Sequence, residues 1–164
     1  MRETTATAAG QVAGGGPAQD RVEVRLPAAS AYLSVLRTAT AGLAARLDFT
    51  LDEIEDLRIA VDEACAMLLP QAVEGAPLTC TFELGDATGA DVLALTVSVP
   101  TRAARLPERD TFAWTVLSAL AGDVDAGTTD GGGSAAGSAA DGAGDRAPDT
   151  VWISLRKHRG AGGA

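Results

Sequence analysis

The chain has 164 residues, with 22 acidic side chains against 13 Lys and Arg, and a formal net charge of −9 at neutral pH. That length suits one domain with tails and a single modest core. The acidic balance excludes the clustered basic footprint of direct nucleic-acid binding and favours basic protein partners through long-range steering.

In chain order, 1–20 is rich in Ala, Gly and Thr without periodicity and reads as a disordered tail. Arg21–Leu26 alternates Val22, Val24 and Leu26 with Glu23 and Arg25, as a half-buried strand does. Ser30 is placed to N-cap a helix over Ala31–Leu47, with Tyr32, Val35, Leu36, Ala39 and Leu43 at helical spacing. Thr50 and Glu53 form a capping-box pattern for a second helix. Its apolar stripe is Ile54, Leu57, Val61, Ala64, Cys65 and Leu68, and Pro70 closes it.

Two alternating segments, Leu78–Leu84 and Val92–Val99, flank the turn residues 85–89 and predict an antiparallel hairpin. Asp110–Ala121 reads as a third helix, with Phe112, Val116, Leu117 and Leu120 inward and Gly122 at its end. Gly127–Ala147 carries no large apolar side chain and is expected to be a disordered insertion. Thr150–Lys157 is the last strand, with Val151, Ile153 and Leu155 on one face, and 158–164 is a tail. This β-α-α-β-β-α-β order predicts an α+β protein: a two-layer α/β sandwich whose mostly antiparallel sheet carries its helices on one face.

Cys65 and Cys80 fall at apolar positions and behave as small hydrophobes, making no disulfide framework. The single histidine, His158, has no second ligand at metal spacing, so no metal site is expected from protein side chains alone. The N-terminal segment lacks the apolar run of a signal peptide, and no stretch reaches the roughly 20 apolar residues of a membrane span. The expectation is a soluble cytoplasmic protein that binds neither membrane nor nucleic acid.

The second helix contains Asp62-Glu63-Ala64-Cys65-Ala66-Met67. This string resembles the first nucleotide-binding box of GHKL-type (Bergerat-fold) ATPases, and with the element order it is similar to the RsbW/SpoIIAB-type anti-sigma factors. The resemblance covers roughly Arg21–Lys157 and is densest over Arg37–Leu69. It implies the histidine kinase-like ATPase fold and a protein that sequesters an alternative RNA polymerase sigma factor. It also implies a STAS-domain anti-anti-sigma partner, phosphorylated on serine with MgATP, and dimers formed through the sheet region.

Residue by residue, the resemblance gives Glu63 the role of general base toward a serine hydroxyl, one helical turn from position 67. Met67 stands where the family has a metal-ligating Asn, and a thioether is a poor ligand for a hard cation. The alternatives are an exposed helix carboxylate for Glu63 and a groove or core filler for Met67. The family's Asp-x-Gly-x-Gly box is replaced by Ser98-Val99-Pro100-Thr101-Arg102, and its glycine lid by Asp110-Thr111-Phe112-Ala113-Trp114-Thr115. Bulky Phe112 and Trp114 are expected to fill the lid's space.

Thr150 matches a Thr that approaches adenine in relatives, a weak signal because strands often begin with Thr. Arg37 matches an arginine used for partner contacts, with a solvated helix arginine as the alternative. Phosphoryl transfer depends on positioning and metal electrostatics. The eroded boxes therefore imply an anti-sigma factor acting by binding, with ATP and Mg held weakly or lost. Two alternatives stand beside it: an active serine/threonine kinase of the same family, and an unrelated small α/β sensory domain.

Overall fold

The computed structural model describes residues 20–86, 89–131 and 147–160. The elements are β1 (Asp20–Pro27), α1 (Leu33–Arg46), α2 (Leu51–Leu68), β2 (Pro77–Asp86), β3 (Gly89–Thr101), α3 (Phe112–Ala121), β4 (Asp123–Thr129) and β5 (Asp149–His158). The five strands form one antiparallel sheet in the order β1-β2-β3-β5-β4. α2 lies on β3 and β5, α3 on β4 and β5, and α1 against α2. The expected two-layer α+β sandwich is the observed one. In particular, β1 and β5 share the sheet with the β2–β3 hairpin, which the family resemblance requires.

The strand alternation sets the core. Leu78, Cys80, Phe82 and Leu84 from β2 and Leu93, Leu95, Val97 and Val99 from β3 are buried, as are Val151, Ile153 and Leu155 from β5. The whole expected stripe of α2 is buried against them, joined by Ala60. Gly85, at φ 80°, supplies the left-handed residue at the irregularity between Leu84 and Asp86 that closes the hairpin.

α1 ends in a Schellman arrangement. Asp48 sits at φ 58° and donates its N–H to Ala45 O at 3.1 Å, while Phe49 N–H reaches Ala44 O at 3.2 Å. Asp is among the few L-residues that adopt this backbone readily. Ala44 and Phe49 are both buried at this corner. Two residues later Thr50 and Glu53 complete the expected capping box.

Several expectations are corrected. Ser30 caps nothing: it begins a 3-10 turn over Ser30–Tyr32, and α1 starts at Leu33. The buried line of α1 is Leu36, Thr40 and Ala44, while Tyr32 and Val35 are exposed. Thr40 can be buried because its hydroxyl donates to Leu36 O at 2.8 Å.

On α3, Phe112 faces solvent at 84% exposure, and Trp114, Leu117 and Ala121 form the buried line. Thr111 caps the helix, and the buried line shares only Leu117 with the expected stripe. β4 is absent from the expected order, and it takes Gly127, Thr128 and Thr129 from the supposed insertion. Its strand-disfavouring Asp123, Asp125 and Gly127 are held by pairing with β5. Of that insertion, 132–146 lies outside the described residues, as do the N-terminal tail up to 19 and residues 161–164.

The expected tail ends are structured where they meet the domain. Asp20 and His158 are strand residues. Beyond β5, Arg159 donates to Asp91 and Leu47 O, and Gly160 N–H to Glu53.

Candidate functional site

The two ends of α2 frame the candidate site. Near its middle, Asp62 pairs with Arg37 of α1, Nη1 to Oδ2 at 3.4 Å, with both side chains a third or more exposed. Such an exposed pair contributes about 0–1 kcal/mol, so it orients Arg37 more than it stabilises the fold. The second Asp62 oxygen is enclosed without a hydrogen-bond partner. Asp62 was not singled out from sequence, because nothing local says that the acid preceding Glu63 faces α1. Val35 on α1, Ile59 on α2 and Tyr32 in the turn just before α1 are exposed apolar side chains.

Glu63 is half-buried on α2 and lies one turn before Met67. Met67 lines a cavity of about 840 Å³; Glu63 and Thr150 are not among its lining residues. Thr150 is half-buried on β5, paired in register with Pro100 and with Thr129 of β4. The structure thus places Met67 at the cavity, Thr150 in the sheet and Arg37 on the helical surface.

The cavity wall is built by local chemistry. After α2, the 3-10 turn Leu69–Gln71 aims the Gln71 amide at the segment following β3. Its Nε2 donates to Arg105 O at 3.0 Å, and Arg105 N–H donates to its Oε1 at 2.9 Å, a side-chain copy of strand pairing. Val73 N–H donates to Pro100 O at 2.9 Å on the same wall. Thr101 is fully buried where β3 ends and accepts from Ala103 N–H at 3.3 Å. Behind the α3 side, Arg109 lies 4.9 Å over the buried Trp114 ring and pairs with Asp125 of β4 at 2.7 Å.

The donor set does not suit a magnesium-bound triphosphate. A thioether stands at position 67, and 101–113 contains no glycine to bring backbone N–H groups close to phosphate. The charged lining side chains are Arg102 and Arg105 against Glu74 and Glu108, which sum to zero. Among the described residues, no group of three or more His, Cys, Asp and Glu could hold a metal ion. No described helix is long and apolar enough to cross a membrane.

Buried Cys65 has its thiol pushed up to about 12, by burial first and then by the Asp62 charge. Cys80 is pushed higher still, by burial and by its neighbour Cys65. Both are free and buried, hence unreactive as nucleophiles in the folded chain.

The five-stranded antiparallel sheet with three helices on one face is an architecture consistent with the histidine kinase-like ATPase fold. Over 53 residues the chain is 43% identical to the serine-protein kinase RsbW of Bacillus subtilis (strain 168), a stretch that is 32% of this chain and 33% of that protein. Over 53 residues it is also 38% identical to the serine-protein kinases RsbW of Bacillus cereus (strain B4264) and Bacillus anthracis (strain CDC 684 / NRRL 3495), with the same coverage. The match spans about a third of the length of these curated relatives. No protein-family model matches the chain.

Proposed function

We propose that this chain is an anti-sigma factor that works by binding. It sequesters an alternative RNA polymerase sigma factor in the cytoplasm, and a STAS-domain anti-anti-sigma protein releases it. The observation that carries this reading is the 43% identity over 53 residues to a protein named serine-protein kinase RsbW. The sheet order and the α1–α2 surface support it. In this reading Arg37 faces the partner, held ready by Asp62, and exposed Tyr32, Val35 and Ile59 supply apolar contact beside it. Dimerisation through the sheet belongs to the same reading.

The phosphotransfer arm is vestigial because the residues around Met67 do not suit MgATP, and Thr150 alone makes no adenine site. Binding of a sigma factor in the absence of nucleotide is the expected result, with Arg37→Ala weakening it about tenfold or more. A complex that forms only with ATP and Mg²⁺ would sink the proposal. Pull-down from the native host with mass spectrometry identifies sigma and STAS partners together.

A second reading, an active serine kinase, is favoured by the name of the relatives and by the retained Glu63. Incubation with labelled ATP and a STAS partner decides it. Phosphoserine on the partner, abolished by Glu63→Ala, establishes the kinase; no label leaves the binding reading in place.

A further inference from the structure

The cavity beside Met67 has a chemistry of its own. Its volume of about 840 Å³ falls within the roughly 300–1,000 Å³ range of small-molecule sites. Met67, Val73, Leu106, Pro107 and Ala113 give it apolar walls, and buried Thr101 also lines it. The walls are fixed before any ligand arrives: Gln71 clamps the Arg105 backbone from both sides, and Val73 is tied to Pro100. Preformed walls reduce the ordering cost of binding.

The charge pattern chooses among ligands. Two guanidinium groups and two carboxylates line the rim, so a multiply charged phosphate meets no net attraction, on a chain that itself carries −9. A singly charged acid can sit against one guanidinium without that penalty, while an apolar body fills the space beside Met67 and Leu106.

We propose that this cavity binds a largely apolar organic molecule carrying no more than one negative charge, in place of a nucleotide. The inference goes beyond the sigma-factor reading and does not depend on it, since its readout is ligand occupancy and not partner capture.

The test uses the full chain and the probe 8-anilinonaphthalene-1-sulfonate, which has two aromatic ring systems and one sulfonate. Saturable fluorescence enhancement at one probe per chain is expected. Ala113→Trp, which fills the cavity, weakens binding at least about tenfold, equivalent to 1.4 kcal/mol. Leu106→Asp, at a rim position 54% exposed and away from the core, weakens it in the same direction and remains informative if the Trp variant fails to fold. Leu51→Asp, at an exposed position 81% accessible on the first turn of α2, leaves it unchanged. Equal binding by all three variants means adsorption to exposed apolar surface and overturns the proposal. Displacement of the probe by MgATP at comparable concentration also overturns it, because the site is then a nucleotide site.

Discussion

The two ends of α2 are built for opposite purposes. At the N-terminal end several polar groups are tied down. Thr50 and Glu53 cap each other, Gly160 donates to Glu53, and Lys157 reaches Asp56 and Leu120 O, the latter at 2.7 Å. At the C-terminal end Met67 packs on the core with one side and lines the cavity with the other, and the Gln71 clamp on Arg105 follows in the turn after the helix. The difference teaches that the helix is anchored from outside the cavity. The cavity can therefore change its lining without unfolding the face that carries Arg37.

The largest effect lies between the two ends. Leu57 is fully buried at the middle of α2. Leu57→Ala is expected to cost about 2–5 kcal/mol in urea denaturation, the usual range for emptying a packed leucine site. A cost below 1 kcal/mol means that α2 does not organise the core and removes the basis of the comparison.

The next pair contrasts the ends directly. Thr50→Ala removes the cap and is expected to cost about 1 kcal/mol. Met67→Ala is expected to cost less than the roughly 2–5 kcal/mol of a buried methionine, because one side of Met67 already borders the cavity. Equal, large losses at both positions indicate that the cavity end is packed after all.

The N-terminal tie also predicts a pH response. Burial opposes ionisation of Glu53. The N–H donors of Gly160 and Thr50, the Thr50 hydroxyl and the Lys157 charge outweigh it, and hold the carboxyl below its usual range. A carboxyl with a lowered folded pKa binds its proton less readily in the native state than in the unfolded one. Its stabilisation is thus present above the unfolded value of about 4.3 and is lost as pH falls through the lowered folded value. Glu53→Gln should therefore flatten the acid limb of stability against pH below about 4.5, with thermal melts as the readout. An unchanged acid limb shows that the Gly160 contact contributes nothing in solution.

The smallest effect concerns the thiols. Burial of Cys65 and Cys80 predicts no reaction with Ellman's reagent while the chain is folded, and reaction of both under denaturant. Rapid labelling of the folded chain by native mass spectrometry shows that the α2–β2 contact opens readily.

Much of this was legible because the patterns are local. The capping box, the α2 stripe and the alternation of β2, β3 and β5 each need only a few neighbouring residues, and all appear where expected. β4 was not legible: Asp123-Val124-Asp125-Ala126-Gly127-Thr128-Thr129 has little β preference, and its strand state comes from hydrogen bonds to β5 across the chain. Phe112 was misassigned for a related reason. Both Phe112 and Trp114 fit an apolar stripe, and the position of the Thr111 cap with Arg109 over Trp114 decided which one is buried.

The candidate site divides in the same way. Glu63 and Met67 were singled out by the family resemblance, and spacing alone gives only their shared face on α2. The Arg37–Asp62 pair, the Gln71 clamp and the charge-balanced rim join residues 25 to 34 positions apart, and no local signal announces them.

By itself the sequence determined the two layers, the anchored start of α2 and the thioether at position 67, because periodicity, capping and side-chain chemistry depend on residue type and spacing. Only the tertiary structure decided that β4 closes the sheet, that Arg37 is held by Asp62, and that Met67 opens onto a cavity of neutral, apolar character. Those features depend on which distant side chains meet in space, and that is settled by packing the helices on the sheet.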